Sequence, residues 1–287
     1  MSTQVKPTSK FVTANGLRIH YLDWGNDGAM PLIMLHGLRS YGHAWDPVAR
    51  EFADRYHIVA LDQRGRGDSG WSPEAAYYTD DYVSDLEEMV RQLGMKRFVL
   101  IGHSMGGANS IVYASRHPDQ VAAAVIEDMG PRPLSTAPNS GGARIAQELE
   151  NTPMEFSTWD IARAFWRKER PLISEEALTI RLENTLKELP GGAIGWKYDI
   201  QGIVRAGLNR DTAKQIDLWP HTRDLKCPTL VLRGESSDIL SQETCNEMAE
   251  ANLNIKCVEV PGASHYVHDD NLEFYNREVR IFLENIK

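Results

Sequence analysis

Gly102-His103-Ser104-Met105-Gly106 follows the apolar run Phe98-Val99-Leu100-Ile101 and precedes the helix-like stretch Ala108-Asn109-Ser110-Ile111-Val112-Tyr113-Ala114. A G-x-S-x-G pattern at a strand-to-helix junction is the signature of a nucleophile elbow. A serine in so sharp a turn needs small neighbours two positions to either side, because a Cβ there collides with adjoining backbone. Gly102 and Gly106 meet that need. The turn presents Ser104 Oγ at the head of a helix, where the Met105 N–H and the positive end of the helix dipole stabilise an oxyanion.

Outward from the elbow, further apolar runs have the same continuous character: Pro31 to Leu35, Ile58 to Leu61, Ala122 to Ile126 and Leu230 to Leu232. Lack of polar alternation marks strands covered on both faces. Amphipathic segments lie between most of them, as at 81–94 with Tyr82, Val83, Leu86, Met89, Val90 and Leu93. Strands alternating with helices predict a mostly parallel, doubly covered sheet, whose ligands bind beyond the carboxyl ends of the strands. His36, Asp62, Ser104 and Asp128 all fall at such ends. Residues 11–24 read instead as two short antiparallel strands at an edge, joined at Asn15-Gly16, a dipeptide that tolerates positive φ.

Between about Pro131 and Pro220 the strand-helix rhythm stops. The pattern there is helical, interrupted by Pro153, Pro171 and Pro190-Gly191-Gly192, and it carries Trp159, Trp166, Trp196 and Trp219. The expected organisation is a core of residues 1–130 and 221–287 with a helical cap at 131–220. Such a cap roofs the site with apolar surface and excludes water. Most of these tryptophans are expected to pack the cap's own interior.

The 287 residues carry a formal net charge of −9, and no basic block occurs, which argues against nucleic acid or an anionic membrane as partner. A small-molecule substrate is expected, and a homodimer is left open. Cys227, Cys245 and Cys257 include no close-spaced pair, so neither a metal site nor a disulfide framework is indicated, and a reducing cytoplasm suits them. The N-terminus has no signal-peptide core, and no run approaches a membrane span of about 18 apolar residues.

A serine hydroxyl needs a base to take its proton. Among the nine histidines, His265 follows the strand-like Lys256 to Val260 and the turn Pro261-Gly262-Ala263-Ser264, just before a final helix; His268 is its competitor. His36 reads as an organiser of the loop whose next backbone N–H, that of Leu38, joins Met105 N–H in an oxyanion hole. His103 reads as packing beneath the elbow.

His36-Gly37-Leu38, Asp62-Gln63-Arg64-Gly65-Arg66-Gly67-Asp68-Ser69, Gly102 to Gly107 and Pro261 to His265 stand in the order and spacing of the α/β-hydrolase superfamily, which the chain resembles over nearly its whole length outside the cap. The resemblance implies an eight-stranded, mostly parallel sheet, no cofactor, no metal, and the chain order Ser, acid, His. The orienting acid has two candidates. Hydrolases of this architecture often place it three residues beyond the glycine corresponding to Gly234; that position is Ser237, and Asp238 lies one further on. Asp128, at the end of the strand 121–127, is the alternative, with Glu127 a weak third.

Within the superfamily, Gly102 to Ser110, Arg233 to Ser237 and Val260 to Val267 are similar to the (E)-2-(acetamidomethylene)succinate hydrolases, amide-cleaving enzymes whose acid follows the earlier strand. That similarity favours Asp128. Those enzymes bind a dicarboxylate through cap arginines, for which Arg144 and Arg170 are the counterparts considered; Trp166 is a further substrate-binding candidate. The departure from them at Gly107-Ala108 leaves the substrate open.

The expected activity is hydrolysis of an ester, lactone or amide through an acyl-enzyme on Ser104. Carbon–carbon hydrolysis of a vinylogous diketone and a low-turnover receptor are the alternatives. Dehalogenase and epoxide hydrolase chemistry would require an aspartate where Ser104 stands.

Overall fold

The computed structural model describes residues 6–171, 173–208 and 211–286. β1 (Thr8–Ala14) and β2 (Leu17–Asp23) form the expected hairpin, turning at Asn15 and Gly16 with φ of 49° and 78°. There follow β3 (Met30–Leu35), α1 (Asp46–Phe52), β4 (Tyr56–Leu61), α2 (Thr79–Gln92), β5 (Phe98–His103), α3 (Met105–Arg116) and β6 (Val121–Glu127). The intervening segment carries α4 (Gly141–Asn151), β7 (Glu155–Phe156), α5 (Trp159–Glu169), α6 (Glu175–Thr185), β8 (Leu186–Glu188), β9 (Ile194–Trp196), α7 (Ile200–Leu208) and α8 (Leu218–Asp224). The chain then returns through β10 (Thr229–Gly234), α9 (Gln242–Ala251), β11 (Ile255–Val260), α10 (Val267–Asp270) and α11 (Leu272–Leu283).

Eight strands make one sheet in the order β1-β2-β4-β3-β5-β6-β10-β11. The pairs β1–β2 and β2–β4 are antiparallel and the others parallel. Burial explains the continuous apolar runs. Ile33, Leu35, Val59 and Leu100 pack on the side of α2 and α3, while Leu32, Met34, Ile58 and Val99 face Phe52 of α1 and Tyr275 of α11. β3, β4 and β5 therefore present apolar side chains to both layers.

His36, Asp62, Ser104 and Asp128 are the first residues past β3, β4, β5 and β6. Because these strands are parallel neighbours, all four lie along one edge of the sheet, where its two layers of helices leave a crevice.

The segment between β6 and β10 is not wholly helical. β7, β9 and β8 form a small antiparallel sheet, with Gly191 and Gly192 at φ of 108° and 85° between β8 and β9. Strands of two or three residues are too short to register as a period of two in sequence. Trp166 and Trp196 are buried with Phe156, Phe165 and Tyr198, whereas Trp159 lies at the surface. α8 straddles the expected boundary at 220 and packs on α3, adding Leu218 to the core beneath the sheet.

Candidate active site

Ser104 has φ 53° and ψ −116°, a left-handed conformation that costs a non-glycine residue about 1–3 kcal/mol. The surroundings impose it. A Cβ at Gly102 would lie 2.2 Å from Gly106 O, and one at Gly106 would lie 2.2 Å from Leu35 O, so β5, α3 and the end of β3 close on the turn through glycine alone. Ser104 N donates to Glu127 O of β6 at 2.9 Å, and Ala108 N returns to Ser104 O at 3.0 Å.

From this elbow, Ser104 Oγ lies 3.0 Å from His265 Nε2, and His265 Nδ1 lies 2.7 Å from Asp128 Oδ2. Asp128 is buried and holds φ 48°, with its N–H donating to Leu232 O of β10. Its Oδ1 accepts from Gly234 N at 3.0 Å, and its Oδ2 accepts from Ser237 Oγ at 2.5 Å as well as from the imidazole. The donor to a carboxylate is the N–H tautomer, so Nδ1 carries the proton and the Nε2 lone pair faces the Ser104 hydroxyl.

Asp238 faces elsewhere. Its two oxygens take Arg144 Nε and Nη2 at 2.7 and 2.9 Å, and that guanidinium holds its carboxyl below the usual range. Glu127 and His268 form a second pair, with His268 N and Nδ1 on the carboxylate at 3.0 and 2.8 Å and Trp45 stacked on the ring at 4.5 Å. Burial alone would raise Glu127 and lower His268. Their mutual attraction outweighs it, so Glu127 sits below and His268 above its ordinary pKa. His268 thus faces Glu127 and not Ser104.

The His36-Gly37-Leu38 loop is fixed from three sides. Gln63 N–H donates to His36 Nε2 at 3.0 Å, so the proton is on Nδ1, which donates to Gly37 O at 2.7 Å. Ser40 N donates to the same carbonyl. In a trans peptide the C=O and N–H point in opposite directions, so anchoring Gly37 O aims Leu38 N–H away from His36. Arg66 Nε holds Leu38 O at 3.1 Å. A Cβ at Gly37 would lie 3.4 Å from Ser104 Cβ, which brings this loop against the elbow. Among the described residues, neither Leu38 N nor Met105 N has a hydrogen-bond acceptor. His103 donates Nε2–H to His265 O at 2.9 Å beneath the site. Burial pulls the His36 and His103 pKa values down to about 4 and about 3, so both rings are neutral near pH 7.

A sequence model of the α/β hydrolase fold matches residues 30–272. The chain belongs to this family. A 2-(acetamidomethylene)succinate hydrolase of Mesorhizobium japonicum is 29% identical over 260 residues, covering 90% of this chain and 89% of the relative. An N-formylmaleamate deformylase of Pseudomonas putida is 27% identical over 288 residues, covering 96% of each. A crystal structure of E-2-(acetamidomethylene)succinate hydrolase superposes with a TM-score of 0.86 at 26% identity, covering 97% of this chain and 99% of that one.

In this α/β hydrolase, Ser104 opens onto two cavities. One, of about 710 Å³, is bounded largely by apolar side chains, among them Tyr82, Met105, Met129, Leu149 and Ile203. The other is small, about 50 Å³, and includes His265, Trp166, Arg144 and Arg170 with two further arginines, Arg39 and Arg181. Arg170 is paired with Asp269 at 2.8 Å and lies over the Tyr266 ring. The sequence reading missed Arg39, Arg181, Arg66 and the role of Ser237. Ser237 alone left a signal there, since it fills the position from which related hydrolases supply the acid. Among the described residues, no helix is long and apolar enough to cross a membrane.

Proposed function

We propose that this hydrolase cleaves a small-molecule ester, lactone or amide through an acyl-enzyme on Ser104. The supporting observation is the line Ser104 Oγ, His265 Nε2, His265 Nδ1, Asp128 Oδ2, with steps of 3.0 and 2.7 Å. His265 Nε2 takes the hydroxyl proton as Oγ attacks the carbonyl carbon. Asp128 holds the tautomer and balances the imidazolium. The developing oxyanion is received by Leu38 and Met105 N–H, the latter at the head of α3. Collapse of the tetrahedral adduct breaks the scissile bond, and His265 returns its proton to the departing alcohol or amine. Water then attacks the ester on Ser104 while His265 takes a proton from it, and the acid leaves as the proton returns to Oγ.

The reading uses protein groups and water, with a cytoplasmic setting suggested by three free cysteines. Its test is the rate of wild type and Ser104→Ala on short aryl esters and amides, together with fluorophosphonate labelling read by mass spectrometry. Turnover and a phosphonyl adduct on Ser104, both lost in Ser104→Ala, are expected. A wild type that is neither labelled nor active overturns the reading.

A further inference from the structure

Arg181 is a buried cation with no directly bonded counter-ion among the described residues, although its charge helps to hold the Asp269 carboxyl of the same cavity below the usual range. Arg181 is 5% exposed, and among the described residues its guanidinium makes no ion pair and one hydrogen bond, from Nη1 to Arg39 O at 3.3 Å. Its Nε is buried with no partner, and its guanidinium lies 4.8 Å from the Trp166 ring centroid and 5.4 Å from that of Tyr41. The other arginines of the small cavity are neutralised: Arg144 by Asp238 and Glu148, Arg170 by Asp269, and Arg39 by Glu148 and Glu169. Even so, Arg39 leaves Nε and Nη2 buried and unpartnered, near the Tyr198 hydroxyl but outside hydrogen-bond geometry with it. Desolvating a guanidinium without an anion is costly, and a site built this way gains most when its ligand supplies the charge. Ser104 and His265 border the same cavity.

We propose that Arg181, assisted by Arg39, is the anion subsite of this hydrolase, and that its substrate has one short arm ending in a carboxylate. The cavity's volume of about 50 Å³ limits that arm to a few atoms, while the apolar cavity of about 710 Å³ receives the other side of the scissile carbonyl. The planar carboxylate matches the fork of guanidinium donors. The inference rests on Ser104 being the reacting residue. It differs from a clamp of Arg144 and Arg170, whose charges are already met by protein carboxylates.

Two matched ester pairs test it, one with the carboxylate on the acyl arm and one with it on the alcohol arm. They are para-nitrophenyl hemisuccinate against para-nitrophenyl pentanoate, and butanoyl glycolate against propyl butanoate, with rates taken above the spontaneous background. The expected result is a preference in kcat/KM of about 10- to 100-fold for the anionic member of at least one pair, the range for a hydrogen bond to a charged group. The ratio should collapse toward one in Arg181→Met and survive in part in Arg181→Lys. Measurable but equal rates within both pairs overturn the proposal, as does a preference that Arg181→Met leaves intact. Binding separates this from the chemistry: calorimetry on Ser104→Ala compares benzoylpropanoate with its neutral isostere valerophenone, with and without Arg181→Met. Tighter binding of the anion, lost with Arg181, supports the subsite even if no ester is turned over; equal binding overturns it even if every ester is.

Discussion

Ser237 Oγ lies 2.5 Å from Asp128 Oδ2, the same oxygen that receives His265 Nδ1 at 2.7 Å. The loop after β10 therefore meets the carboxylate that the loop after β6 presents to the imidazole. β6 and β10 are paired in parallel, so the residues that follow them emerge side by side, and a carboxylate from either loop has a route to the ring. In this chain the later loop supplies a hydroxyl. Ser237 Oγ accepts from Ile239 N and Leu240 N at 3.1 and 3.0 Å, which turns its own proton toward Asp128.

Asp128→Asn is accordingly expected to lower kcat by about 10³–10⁴, the scale for leaving a triad imidazole in the wrong tautomer. Adding Ser237→Asp to that variant should recover part of the loss, because a carboxylate is returned within reach of His265. Asp238→Asn, which breaks a half-exposed pair with Arg144, should change kcat by less than about 5-fold. Steady-state rates on the best aryl ester check all three. A loss in Asp238→Asn as large as in Asp128→Asn would reverse the assignment.

The choice between Asp128 and Asp238 shows where sequence reading stops. Each aspartate follows a strand, and one-dimensional spacing separates them only weakly. What separates them in space is that Asp128 lies directly at the end of β6, beside the elbow, while Asp238 has run on past the Ser237 turn to meet Arg144. The elbow itself was legible because its requirement is local: two glycines, a strand before and a helix after. The same holds for the doubly buried strands and for the Asn15-Gly16 hairpin. Arg181 was not legible. It lies on α6, a helix with no clear apolar face in its sequence, and its lack of a directly bonded carboxylate depends on how α6 meets the loop after β3, which no local pattern encodes. The three short strands β7 to β9 escaped for a related reason, since they exist through pairing and not through their own periodicity.

In the proposed mechanism Leu38 N and Leu38 O divide two tasks, the N–H receiving the oxyanion and the carbonyl tying the loop to Arg66. Leu38→Pro removes the N–H and is expected to reduce kcat by about 10²–10³. Arg66→Met leaves that donor but frees Leu38 O from its 3.1 Å hydrogen bond. A net hydrogen bond to a charged group is worth about 1.5–3 kcal/mol, which bounds the loosening at roughly 10- to 100-fold. The loss should fall on kcat with KM little changed, since the loop meets the substrate oxygen most strongly in the transition state. Leu38→Pro with unchanged turnover would remove Leu38 from the site. An Arg66→Met effect confined to KM would place Arg66 in substrate binding instead.

His36 and His103 tie the stability of the site to pH. Burial depresses their folded pKa values to about 4 and about 3, against an ordinary value of 6.5. Between pH 6.5 and about 4 the unfolded chain therefore binds one more proton than the folded chain at each ring, and unfolding becomes easier as pH falls. Each ring contributes a slope of up to about 1.4 kcal/mol per pH unit, and the two act in the same direction. His268, whose folded pKa is raised beside Glu127, works in the opposite sense, but its window lies above pH 6.5, where the folded state holds the extra proton. Stability should consequently fall steadily from pH 6.5 toward 4, ahead of the range in which Glu127 and Asp62 take up protons. Urea unfolding at half-unit steps from pH 7 to 4.5 measures the slope. His36 is also the ring that anchors Gly37 O, so its protonation would cost the bond from Gln63 N–H and release the loop carrying Leu38. Loss of activity on acidification should then track the loss of stability and reverse on return to pH 7. A flat unfolding profile over this range would mean that both rings titrate alike in the folded and unfolded chain.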